Sequence, residues 1–81
     1  MRITLKLFAI YQEVYQTDQL LLDLPDPTTA AQLLDRCIQD HPQLASWRDL
    51  TKIGVNLEMV PLDTRLEDGD EVVLIPPVSG G

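Results

Sequence analysis

Four features of this 81-residue chain could carry chemistry: the single cysteine Cys37, the single histidine His41, the acidic run Glu67, Asp68, Asp70 and Glu71, and the closing stretch IPPVSGG, residues 75–81. One Cys and one His assemble no nucleophile, base and orienting group with any specificity, and neither a Gly-rich phosphate loop nor a Cys/His ligand cluster accompanies them. Cys37 falls on the apolar stripe of a helix, where a thiol is inert packing rather than a nucleophile. His41 precedes Pro42 at that helix's end, where an imidazole meets free carbonyls and caps them. The acidic run lies in a short turn and reads as solvated surface rather than a metal site. Neither an internal active site nor a bound cofactor or metal is expected.

The closing stretch is chemically coherent. Pro76 and Pro77 deny ladder hydrogen bonds and favour an extended exit, so the chain stops pairing and projects. From Pro76 an extended tail reaches about 17 Å. Val78 offers one apolar anchor, while Ser79, Gly80 and Gly81 have the small cross-section that a strand needs to enter a narrow active-site tunnel. A terminal Gly-Gly pair arises by chance roughly once in 200 chains, so it needs support from the rest of the domain. A carboxylate is a poor electrophile. As an acyl adenylate it is open to sulfide or an amine, and glycine leaves that carbonyl unobstructed.

The elements that must position this tail follow from periodicity. RITLKLF places Ile3, Leu5 and Leu7 on one face and Arg2, Thr4 and Lys6 on the other, as a half-buried strand requires. Ala9 to Asp18 is mixed and predicts a loop or wide hairpin connection to a second strand, QLLLDLP, stopped by Pro25. In DPTTAAQLLDRCIQDHP the period changes: Ala30, Leu33, Leu34, Cys37 and Ile38 form one helical stripe, with Thr28 or Thr29 as N-cap and an end near His41 imposed by Pro42. QLASWRDL makes a short further turn that folds Trp47 onto the core. KIGVNLEMV turns near Asn56, PLDTRL connects, and EDGDEVVLIPP is a loop tightest at Gly69 that feeds a last strand, Glu71 to Ile75.

The order is therefore ββαβ plus a final β, which packs as a mixed sheet with one main helix on one face: an α+β roll of the β-grasp, ubiquitin-like type. The first and last strands lie side by side in parallel through the crossover, with the last strand central. Residues 1–75 form the domain and 76–81 a flexible tail on a rigid base. EVVLI carries apolar residues on both parities, although one helix covers only one face. Ile75 beside the tail's exit, Phe8 at the end of the first strand and Met59 after the Asn56 turn form a candidate docking patch at the tail's root.

Composition bounds the partners. Six Lys and Arg against thirteen Asp and Glu give a net charge of -7. That charge opposes phosphate backbones, which excludes nucleic acid, and leaves room for attraction to a basic protein. No apolar run approaches the roughly 18 residues of a membrane span, and a signal-peptide core is lacking. A lone cysteine forms no internal disulfide. These features predict a soluble cytoplasmic protein without membrane contact.

DGDEVVLIPPVSGG, with Phe8-Ala9 after an alternating first strand and GVN at 54–56, resembles the ubiquitin-like sulfur carrier family, in particular small subunits of molybdopterin synthase. The likeness spans the whole chain in layout, and its specific part is the last third. It departs at IYQEVYQTDQ, which lacks the Arg-Glu pair expected after the first strand. The resemblance implies that an E1-like adenylating enzyme consumes ATP to activate Gly81. The acyl adenylate becomes a thiocarboxylate, and a large synthase subunit uses its sulfur to convert cyclic pyranopterin monophosphate into the molybdopterin dithiolene. It also implies that Gly80 fits the tunnel, that Pro76, Pro77, Val78 and Ser79 contact the partner, that catalytic side chains sit on the large subunit, and that two small and two large subunits form a heterotetramer. A thiazole-forming sulfur carrier and a ubiquitin-like protein modifier are the alternatives.

Overall fold

The computed structural model describes residues 1–77. Strands β1 (Arg2–Leu7), β2 (Gln19–Asp23), β3 (Lys52–Val55), β4 (Glu58–Val60) and β5 (Glu71–Ile75) form one mixed sheet in the order β2-β1-β5-β3-β4. β5 is central, as expected. It pairs in parallel with β1, Leu7 level with Leu74, and antiparallel with β3, Lys52 opposite Ile75. The right-handed crossover rule makes this parallel pairing available only because the long helix lies between the two strands in sequence.

That helix, α2 (Ala30–Asp40), begins at a capping box: Thr29 Oγ1 accepts from the Gln32 amide at 3.2 Å, and Gln32 Oε1 accepts from the Thr29 amide at 2.8 Å. Two orphan amides are thereby satisfied where the helix starts. Its stripe, Ala30, Leu33, Leu34 and Cys37, is fully buried against Ile3, Leu5 and Leu7 of β1 and Val72 and Leu74 of β5. Burial of each leucine contributes about 1.5–3 kcal/mol relative to exposure.

The segment expected as a loop between the first two strands instead contains a helix, α1 (Ile10–Tyr15), whose Tyr11 is fully buried and whose Ile10, Val14 and Tyr15 pack on the core. Six residues with β-branched and aromatic side chains do not form a helix by propensity. Tertiary burial of Tyr11 supplies the stabilisation. A second departure follows α2, where Pro42–Leu50 is a 3-10 helix and not a brief turn. Its buried residue is Leu44. Trp47, expected on the core, is half-buried and stands outside the core cluster.

The end of α2 also differs in detail. His41 caps through its backbone amide, which donates to the Cys37 carbonyl at 2.9 Å, while its ring packs edge-on against Tyr15 with centroids 4.5 Å apart. The imidazole therefore serves packing rather than the carbonyls.

In the β3–β4 hairpin Asn56 and Leu57 both have positive φ, 50° and 73°, as a type I′ turn requires. Asn56 suits this geometry. Its side chain also clamps the hairpin to the loop before β5, donating to Asp70 Oδ1 and accepting from the Glu71 amide, each at 2.9 Å. Asp70 accepts from the Glu67 amide as well, at 2.8 Å, and is only 8% exposed. One member of the acidic run is thus a structural brace, contrary to the expectation of solvated surface throughout. Gly69, at φ 87°, supplies the tight point of that loop, as expected.

Candidate functional site

Alternation along β5 sorts its side chains: Val72 and Leu74 are buried beneath the helices, while Glu71, Val73 and Ile75 face the uncovered side. Cross-strand partners share a face, so Val73, Gly54 and Met59 form one row. Gly54 has no side chain, and Met59 lies across it: a Cβ at Gly54 would stand 3.8 Å from the Met59 sulfur and 3.9 Å from Val73 Cβ. Met59 is 58% exposed and Phe8, just beyond Leu7, 52% exposed. The structure therefore brings Phe8, Ile75 and Met59 onto an open sheet face and leaves none of them in the core. Lys6 and Lys52 border this face, Lys6 paired with Glu71 at 3.5 Å.

At the end of this face the chain leaves the sheet. Pro76 is buried and Pro77 exposed. A concavity of about 270 Å³ at this point is lined by both prolines with Ala9, Ile10 and Trp47. Sequence reasoning missed the last three, since nothing in the sequence signals that the β1–α1 corner and the 3-10 helix converge on the tail's root. A larger hollow of about 530 Å³ shares Ala9 and is otherwise lined by Gln12, Glu13, Gln16 and Thr17. It offers a single carboxylate, and its one hydroxyl, on Thr17, donates to the Gln19 carbonyl. Val78, Ser79, Gly80 and Gly81 lie outside the described residues.

Cys37 is fully buried, and burial pushes its thiol above the ordinary value, which outweighs the opposite pull of the neighbouring Tyr15 hydroxyl. Burial likewise raises Tyr15. The thiol is thus withheld from nucleophilic chemistry. Cys37→Ala is expected to lower stability by about 1 kcal/mol through lost volume and to leave intact the sulfur transfer that the family resemblance implies. Chemical denaturation alongside a turnover assay checks this, and lost transfer by a folded variant would contradict it. Among the described residues no group of three His, Cys, Asp or Glu is placed to hold a metal ion, and no helix is long and apolar enough to cross a membrane.

A mixed five-stranded sheet wrapped on a long helix, with a proline-led exit from its central strand, defines a ubiquitin-like β-grasp protein. The chain belongs to the ThiS family, whose profile matches residues 5–81. It is 39% identical over 83 aligned positions to the molybdopterin synthase sulfur carrier subunit of Chlamydomonas reinhardtii, with 100% of both chains covered. Against the molybdopterin synthase sulfur carrier subunit of Dictyostelium discoideum it is 36% identical over 78 positions, covering 93% of this chain and 91% of that one. Among solved structures, the small archaeal modifier protein 1 of Haloferax volcanii superposes with a TM-score of 0.80 at 30% identity, covering 95% of this chain and 98% of that one.

Proposed function

We propose that this chain is the sulfur carrier subunit of a molybdopterin synthase, acting in the cytoplasm with Gly81 as the sulfur-bearing residue. Full-length kinship with sulfur carrier subunits of that synthase carries the reading. The geometry supports it: the central strand ends at Ile75 in a buried proline, so a tail of residues 76–81 would leave from a rigid base beside an uncovered apolar face. An activating enzyme consumes ATP. The Gly81 carboxylate displaces pyrophosphate to give an acyl adenylate, and a sulfide-level donor displaces AMP to leave a thiocarboxylate. Its sulfur passes to cyclic pyranopterin monophosphate on the large subunit, which holds the catalytic side chains, and the carrier regains oxygen at Gly81. The open face with Phe8, Ile75 and Met59 docks the large subunit, Pro76 to Ser79 lead into its tunnel, and Gly80 passes the narrowest point. Two copies of each subunit form the assembly.

Incubation with ATP, an activating enzyme and a sulfur donor should add to the chain the mass difference between sulfur and oxygen, located at Gly81. An unchanged mass with an activating enzyme shown to work on another carrier would sink this reading. A second reading, protein modification, draws on the likeness to the archaeal modifier. It predicts Gly81 joined to lysines of other proteins, and recovery of free carrier after each turnover excludes it as the main role.

A further inference from the structure

We infer that Trp47 is a positioning residue for the tail, its ring seating Pro76 and Pro77 and so setting the line along which residues 78–81 leave the domain. The inference rests on the sulfur-carrier reading for its consequence, and on the fold for its basis. Trp47 is the chain's only tryptophan and stands outside the core cluster of the described residues, yet it is half-buried and lines the concavity at Pro76 and Pro77. With Ala9 and Ile10 it completes the concavity around both prolines. A large apolar side chain held off the core, lining one concavity with two residues of fixed φ, is suited to constraining direction rather than to adding core volume.

What lies behind Trp47 keeps it in place. The buried Tyr11 hydroxyl donates to Thr51 Oγ1, and Thr51 Oγ1 donates to the Trp47 carbonyl at 2.7 Å. This relay ties α1 to the 3-10 helix under the seat. The adjoining wall is formed at Ala9, whose φ of 51° and ψ of -123° lie where residues with a side chain seldom sit. Strained backbone persists only where its surroundings over-determine it, and here the corner delivers Ile10 to the prolines.

Leverage makes the seat matter. Were the tail to run extended over about 17 Å, as inside a narrow tunnel, a tilt of about 10° at Pro76 would displace the tip by about 3 Å. Transfer at a reacting carbonyl tolerates errors of only about 1 Å before rates fall on the order of a hundredfold.

The test uses full-length thiocarboxylated carrier in single-turnover sulfur transfer, with the large subunit varied. Trp47→Ala is expected to slow the rate at saturating large subunit by at least about tenfold, to shift the half-saturating concentration by less than about threefold, and to be largely rescued in Trp47→Phe. Should Trp47→Ala fail to fold, Trp47→Leu, which keeps an apolar side chain but withdraws the ring, replaces it. A lowered unfolding midpoint with an unchanged saturated rate, or a shift confined to half-saturation, overturns the inference. Sulfur transfer absent from the parent chain as well would instead overturn the carrier reading. Independently of any sulfur chemistry, Trp47 fluorescence should become about twofold more quenchable by acrylamide when Pro76 and Pro77 are replaced by glycine. Unchanged quenching refutes the seat.

Discussion

Removing Gly81 is expected to reduce sulfur transfer to background while leaving the unfolding midpoint of the domain where it was. Among the described residues the core cluster runs from Ile3 to Leu74, and that burial accounts for what holds the domain together. On the proposed carrier role the chemistry, by contrast, has no substitute for Gly81: without it the terminal carboxylate would belong to Gly80, withdrawn by about 3.5 Å, several times the misplacement that costs a hundredfold in rate. Adding one residue beyond Gly81 advances the carboxylate by the same distance and puts a side chain beside it, and should be equally inactive. Thermal unfolding with an in vitro turnover assay checks both. Normal turnover by either variant would show that the tail carries no sulfur.

Ile75→Lys is expected to weaken binding of the large subunit by about 2 kcal/mol, roughly thirtyfold, with adenylation of Gly81 largely retained. Ile75 faces the side of the sheet that the helices do not cover, the side that also carries Met59, and Phe8 follows Leu7 on the neighbouring strand; both Phe8 and Met59 are more than half exposed. A lysine here places a charge at the centre of an apolar contact, where it must be desolvated without a partner. Within the monomer the cost is smaller, because the head group reaches water, although Lys52 directly opposite adds some like-charge repulsion. Calorimetric titration against the large subunit measures the effect. Parent-like affinity, or a variant that does not fold, would move the docking surface elsewhere on the sheet.

The expectations that held were those set by short-range rules. Strand alternation over 2–7 and 71–75 depends on period two, the Ala30 to Cys37 stripe on period 3.6, the Thr29 cap on one oxygen reaching one amide, and the Gly69 turn on a backbone that side chains disfavour. Each is decided by neighbours within a few residues. β5 carried a further message, since apolar residues on both of its faces announced that Val73 and Ile75 lie on the side the main helix leaves uncovered. The placement of α1 was not legible: a six-residue helix without a side-chain cap is unstable by itself, and exists because Tyr11 is buried against residues distant in sequence, Thr51 among them.

The sequence by itself thus determined the roll and the main helix, because periodicity and capping are local properties. Tertiary structure alone decided that Phe8, Ile75 and Met59 share an open face, that Asp70 braces two loops, and that Trp47, Ala9 and Ile10 meet at Pro76. Those outcomes depend on which strands pair and in which register. Pairing is settled by the cooperative burial of one core from residues up to about seventy positions apart, an energy that no short stretch contains.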